Sequence, residues 1–188
     1  MSAPPETGVA IRAADAARDA AACARIYAPY VSDTAVSFEE AAPDADEMAA
    51  RIARIGAAYP WLLAERDGAV AGFAYASPHR ERASYRWAAD VTVYLDPAHH
   101  RRGIGRVLYE ELFALLRAQG VHVAVAGITL PNQASVGLHE ALGFELVGVY
   151  RGIGYKLGAW RDVGWWQLRL LPADGAPAEL RAPAMDSR

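Results

Sequence analysis

His99-His100-Arg101-Arg102-Gly103-Ile104-Gly105-Arg106 decides how the rest of this chain is read. It follows an apolar run, Tyr85 to Leu95, and opens an amphipathic stretch, Gly105 to Gln119, which Gly120 closes. A strand, a glycine turn and a helix are therefore predicted in that order. The first amides of a helix lack intrahelical partners and sit at the positive end of its dipole. Glycines let such a backbone approach a bulky anion closely, and basic side chains flank this turn. In physical terms the segment is a cradle for a pyrophosphate-sized anion. The same residues also suit an ordinary tight turn with solvated arginines. Leu108 stands where a Gly-x-Gly-x-x-Gly motif needs its third glycine, and no Gly-Lys-Ser/Thr follows, so neither common nucleotide fingerprint is present.

Working outward, Val9 to Ala13 predicts a short strand. Asp15 then caps a helix with the stripe Cys23, Ile26, Tyr27, Tyr30 and Val31. Pro43 and Asp44 open a second helix carrying Met48, Ile52, Ile55 and Tyr59, which Pro60 ends. Trp61 to Glu65 and Val70 to Ala76 flank Asp67-Gly68, a hairpin signal. Val121 to Leu130 is a strand and Asn132 to Leu142 a helix stopped by Gly143. Phe144 to Tyr150 and Gly164 to Leu171 are the last strands, with a glycine-rich loop between them. The order β-α-α-β-β-β-α-β-α-β-β predicts an α/β (α+β) domain, a mixed and mostly antiparallel sheet with helices on both faces. One domain is expected over residues 9–171, with tails at 1–8 and 172–188.

The second informative segment is Asn132-Gln133-Ala134-Ser135-Val136-Gly137-Leu138-His139-Glu140-Ala141-Leu142-Gly143-Phe144. With this segment about thirty residues after the glycine turn, the chain resembles the GNAT acetyltransferase superfamily. Within it, the chain is similar to the phosphinothricin and methionine sulfoximine acetyltransferases. Tyr59-Pro60-Trp61-Leu62, Tyr85-Arg86-Trp87, Thr92-Val93-Tyr94, Leu130-Pro131-Asn132 and Gly158-Ala159-Trp160-Arg161-Asp162-Val163 carry that narrower likeness. Two positions depart from it: His100 stands where the loop usually begins with Arg or Gln, and Asp90 where close relatives carry a glutamate.

The resemblance implies acetyl-CoA as co-substrate, a small amine as acceptor, no metal, and a homodimer. It implies a cofactor site made of His100, Arg101, Arg102, Gly103, Ile104, Gly105 and Arg106, with Asn132 and Ser135 beside it. Backbone amides around Val91, Thr92 and Val93 would receive the thioester oxygen. Asp90 is the candidate proton acceptor, directly or through water, because an amine reaches the site protonated. On a strand it shares a face with Thr92 and Tyr94, opposite Val91 and Val93. His139 stands where the superfamily places a tyrosine near the departing sulfur. Arg82, with Arg80 as neighbour, would hold an acceptor carboxylate. Phe38, Tyr85 and Tyr94 would line the acceptor pocket. The glycine-rich loop 152–158 would lie over it, with Lys156 meeting an anion.

Composition narrows the alternatives. The net charge of −3 gives no global field for nucleic acid or anionic membrane, and no window reaches the length of a membrane span. A single cysteine, Cys23, excludes an intrachain disulfide and a Cys-based metal site, and its apolar setting predicts a buried, inert thiol. The N-terminus has neither the basic start nor the apolar run of a secretory signal, so a cytoplasmic protein is expected. Three other readings compete. Acetylation of a protein N-terminus or polyamine fits the same motifs, although a polyamine site would want acids where Arg82 sits. A non-catalytic acyl-CoA-binding module would not need Asp90 and His139. A nucleotide-binding oxidoreductase fails on the glycine spacing.

Overall fold

The structure is a computed structural model and describes residues 8–183. Seven strands form one sheet in the order β1-β2-β3-β4-β5-β7-β6. They are β1 (Ala10–Ala13), β2 (Trp61–Arg66), β3 (Ala69–Pro78), β4 (Ala88–Leu95), β5 (Val123–Leu130), β6 (Glu145–Lys156) and β7 (Ala159–Arg169). All neighbours are antiparallel except β4 and β5.

Helix α1 (Ala16–Ser32) starts at its predicted cap, and α2 (Ala45–Gly56) starts just past Asp44, near its expected start. Asp15 accepts from the Arg18 amide and Asp44 from the Glu47 amide, each filling one of the helix's unpartnered donors. Their apolar stripes pack with Trp61, Leu63 and Phe73 on one face of the sheet, and Tyr94 borders this layer. Cys23 is fully buried there, and burial pushes its thiol up to about 12, so it stays protonated.

Helices α3 (Ile104–Gln119) and α4 (Gln133–Ala141) cover the other face. Leu108, Leu112 and Leu116 recur at helical spacing and are fully buried against Ala74, Ala89 and Ala124. The predicted order and layering are those observed.

Four segments differ from expectation. Tyr85, expected to begin the strand that runs to Leu95, ends a 3-10 turn, Ala83–Tyr85, and β4 begins only at Ala88. Tyr59, expected on the second helix, lies past its end at Gly56, with its amide still donating to Ile55 O at 2.9 Å. The glycine-rich stretch 152–158 is not a loop. It forms the end of β6 and a tight turn, with Lys156 pairing Ala159 and positive φ at Leu157 (51°) and Gly158 (73°). Two consecutive left-handed residues suit the twist of a hairpin, and the glycines that suggested a loop are tolerated in this edge strand. Residues 178–181, expected within a loose tail, lie against the domain. The Trp87 indole donates to Ala178 O at 2.8 Å, and the Arg181 amide donates to Gln119 O at 2.8 Å. Residues 1–7 and 184–188 of the two predicted tails lie outside the described residues.

Candidate active site

The site begins where β4 and β5 separate. They pair only at Ala88↔Val123, Ala89↔Ala124 and Asp90↔Val125; beyond that β4 pairs β3 alone and β5 pairs β7 alone. Peptide groups of alternate strand residues point the same way. Trp87 O accepts from β5's side, from Val123 N at 3.2 Å, whereas Asp96 N donates towards β3, to Ala71 O at 2.9 Å. Odd-numbered residues therefore present their peptides to the gap. The Asp90↔Val125 pairing takes the Val91 amide, so of the amides expected to face a thioester it is Val93 N–H that has no strand partner on that side among the described residues. The Leu95 carbonyl at the far end is closed by the Tyr30 hydroxyl at 2.6 Å.

The glycine turn sits beyond this end of β4. Arg101 (φ 59°) and Gly103 (φ 77°) are both left-handed, which folds successive amides into a concave nest. Gly103 provides no side-chain cap, and its carbonyl takes the Arg106 and Val107 amides, so Ile104 and Gly105 have their N–H groups at the open helix end. A Cβ on Gly105 would meet Leu138 Cδ2 at 3.2 Å, so the start of α3 packs closely on α4 at this glycine and a larger residue would have to displace the Leu138 side chain. The Tyr30 hydroxyl spends its proton on Leu95 O, and His100 Nε2, 2.9 Å away, must therefore be the donor to it. His100 thus ties the turn to α1. Arg101 and Arg102 are exposed, and Arg106 pairs Glu110 one helical turn on, at 2.8 Å. Asn132 caps α4, accepting from the Ser135 amide at 3.1 Å, and borders an open groove of about 560 Å³.

On the α1/α2 side of the gap, Asp90 Oδ1 lies 2.7 Å from His79 Nδ1. Burial raises the Asp90 carboxyl above its usual range, and the bond to His79 works against that. His79 is set between Tyr85 and Trp165, each ring meeting it edge-on with centroids 6.0 Å apart. Arg80 stands 5.8 Å over the Trp165 ring. Trp165 lies flat because its strand partner is Gly127: a Cβ there would come within 3.1 Å of the indole. The indole N–H of Trp165 is buried and has no partner among the described residues. Arg82 and Tyr85 are exposed on the short turn just before β4, and Arg82 has no ion pair among the described residues. Phe38 packs on Gly154, where a Cβ would come within 2.2 Å of its ring.

Three expected site residues sit elsewhere than their motif suggests. Lys156 does not face an anion. Its ammonium donates to Val31 O, Ser37 O and Glu39 O at 2.6, 2.6 and 2.7 Å, which uses all three of its protons. Tyr94 shares Asp90's face as expected, but its ring is covered by Tyr27 and Tyr30 of α1, with centroids at 4.7 and 5.0 Å. His139 is 3% exposed and packs against Tyr109 and Phe144. Its Nδ1 donates to Ser135 O at 2.7 Å, so Nε2 accepts from the Tyr109 hydroxyl at 3.1 Å. Burial lowers its pKa against the Ser135 bond, keeping it neutral, with its one N–H already spent. His79 and Trp165 carry no sequence signal of this kind: one lies in a charged loop and the other in an apolar strand.

An uncapped anion nest, a splayed parallel pair and a carboxylate at the fork define an acyl-transfer site on a mixed sheet, and the chain belongs to the GNAT acetyltransferase family, whose domain model matches residues 11–165. It is an acyltransferase. Among its relatives is the phosphinothricin N-acetyltransferase of Streptomyces viridochromogenes, 43% identical over 175 residues, 93% of this chain and 95% of that one. The L-methionine sulfoximine/L-methionine sulfone acetyltransferase of Salmonella typhimurium is 38% identical over 161 residues, 85% of this chain and 94% of that one. Among solved structures, a phosphinothricin acetyltransferase from Sinorhizobium meliloti in complex with AcCoA superposes with TM-score 0.87 at 36% identity, covering 92% of this chain and 94% of that one. The nest and the fork fit such a co-substrate in this chain, the first for a pyrophosphate and the second for a thioester arm.

Proposed function

We propose that this enzyme transfers the acetyl group of acetyl-CoA directly to the amino group of a small amino-acid-like acceptor of the phosphinothricin, methionine sulfoximine or methionine sulfone type. The observation that carries this is the position of Asp90: it is the last β4 residue paired to β5, and the next gap-facing amide without a strand partner among the described residues is that of Val93. A proton acceptor and an oxyanion donor then stand three residues apart along β4 at the fork. Arg101 to Gly105 hold the pyrophosphate through backbone amides, with Arg102 adding charge and Asn132 and Ser135 flanking the arm. The amine arrives from the α1/α2 side, gives its proton to the Asp90 centre and attacks the thioester carbon, whose oxygen turns towards the Val93 amide. Arg82 and Arg80 hold the acceptor carboxylate, with Phe38, Tyr85 and Trp165 as the pocket wall.

The enzyme acts in the cytoplasm as a homodimer in this proposal. The apolar side chains exposed on the β6–β7 hairpin support the second point: Val147 is 61%, Tyr155 62% and Trp160 69% exposed. Among the described residues no helix is long and apolar enough to cross a membrane.

A thiol-release assay with acetyl-CoA tests the acceptor. The panel is L-phosphinothricin, methionine sulfoximine, methionine sulfone, spermidine and a short peptide. Turnover confined to the first three is expected. Turnover of spermidine or the peptide in their place would overturn the acceptor assignment.

A further inference from the structure

We infer that His79 is a catalytic residue of this enzyme: its Nε2, left bare by the bond from Nδ1 to Asp90, is the atom that takes the proton from the acceptor's ammonium group. The inference rests on the amine acceptor and Asp90 centre proposed above and adds to them a residue and an atom.

The tautomer follows from the partner. Asp90 Oδ1, 2.7 Å from Nδ1, is a carboxylate oxygen and accepts, so Nδ1 carries the proton and Nε2 carries the lone pair. Nε2 has no partner among the described residues and is not among the buried polar atoms left unsatisfied, so it is open to a ligand. The ring cannot turn away freely, because Tyr85 and Trp165 meet it edge-on from two sides. The Asp90 side chain is short. The imidazole carries the basic atom out from the Asp90 carboxylate to the wall formed by Tyr85 and Trp165. A carboxylate behind an imidazole fixes its tautomer and stabilises the imidazolium once formed. The charged and titratable groups facing the pair are Arg80 from the same loop, which lowers Asp90, Tyr85 from the turn before β4, and Tyr59 and Tyr75, whose hydroxyls the Asp90 charge raises.

The step balances. One ammonium proton moves to His79 Nε2, and the freed nitrogen lone pair forms the C–N bond to the thioester carbon. The C–S bond breaks with its electron pair on sulfur. The second nitrogen proton leaves as the amide forms. Of the two protons, one ends on the thiol and the other passes from His79 to water, and Asp90 stays ionised throughout.

The test is the pH dependence of kcat/KM for the acceptor at saturating acetyl-CoA, in the wild type, His79→Ala and His79→Gln, with and without added imidazoles of graded basicity. Acetyl-CoA affinity by calorimetry shows that each variant is folded. A loss of about 10²-fold is expected in both variants at unchanged acetyl-CoA affinity. In His79→Ala, activity should return in proportion to the free-base imidazole and rise with its basicity. Activity in His79→Ala that ignores every imidazole and keeps the wild-type acid limb would overturn the inference and leave His79 as a group that positions Asp90. If the wild type acetylates only amines outside the proposed class, the acceptor assignment falls while the rescue, run with that amine, still decides the role of His79. A wild type that acetylates no amine overturns both.

Discussion

Asp90 and Val125 are the last residues through which β4 and β5 pair, and the two strands part immediately beyond them. Opening a parallel pair in the middle of a sheet leaves backbone groups without strand partners. A ligand lying in the gap can supply the missing acceptor. The carboxylate, the unpaired Val93 amide and the nest after Arg101 therefore belong to one functional unit, laid out along β4 and the turn that follows it.

Asp90→Asn separates activity from stability. Burial raises the Asp90 carboxyl in the folded protein, although His79 opposes this. A group raised on folding stabilises below its unfolded value of 3.8, and that stability is lost as pH rises through the folded value. At pH 7 the ionised carboxylate is therefore a burden on the fold, and asparagine, which still accepts from His79, relieves it. The expected outcome is a Tm at pH 7 equal to or above wild type, with kcat/KM lower by about 10²-fold. Thermal melts and steady-state kinetics on the same preparation check both. A wild-type pH–rate profile would remove Asp90 from the chemistry.

Arg82→Ala should act on one substrate only. The guanidinium is exposed beside the pocket and has no ion pair among the described residues, so its loss leaves no orphaned acid behind. KM for the amino-acid acceptor is expected to rise by about 10-fold or more, the scale of one charge-assisted contact, with KM for acetyl-CoA unchanged. Equal effects on both substrates would mean a damaged fold.

Lys156→Met should unfasten the segment between α1 and α2. The three carbonyls that Lys156 collects lie at Val31, in the last turn of α1, and at Ser37 and Glu39. A cation also suits the negative end of α1. Methionine keeps the stem and removes every donor, and a loss of about 2–3 kcal/mol is expected, read from urea denaturation. Phe38 lies between two of those anchors, so acceptor KM should rise as well. A variant with full stability and normal KM would show that the clamp is dispensable.

Acid unfolding should depend on Asp19. Its carboxylate is 3% exposed and bonded to Arg12 at 2.6 and 2.8 Å, and Arg12 also holds Glu65. Burial opposes ionisation of Asp19, but the Arg12 bonds, the Asp15 amide and Arg18 outweigh it and hold the carboxyl at about 2. A lowered group stabilises above its unfolded value of 3.8 and loses that contribution as pH falls towards about 2. Asp19→Asn is expected to cost about 2–3 kcal/mol at neutral pH and to flatten the stability curve between about pH 4 and pH 2. An unchanged acid limb would place the loss in another carboxylate.

The element order, the helix cap at Asp15, the start of α2 near Asp44, the glycine turn at Gly103 and the apolar faces of α1 to α3 were legible in the amino-acid sequence. Each of these follows from a local rule: a period, a cap or a turn chemistry acting within a few residues. Asp90 and the turn were legible for the same reason, since each sits in a short motif. Only the tertiary structure decided which chemistry surrounds them. His79 meets Asp90 because β3 and β4 are registered with Ser77 opposite Asp90, which brings the residue just past β3's end alongside. Trp165 walls the pocket because Gly127 lies opposite it on β5. Lys156 became a clamp and His139 a buried, neutral partner of Tyr109 because distant segments delivered acceptors and rings to them. Pairings between strands and helices far apart in sequence are set by register and packing, and no local pattern carries that information.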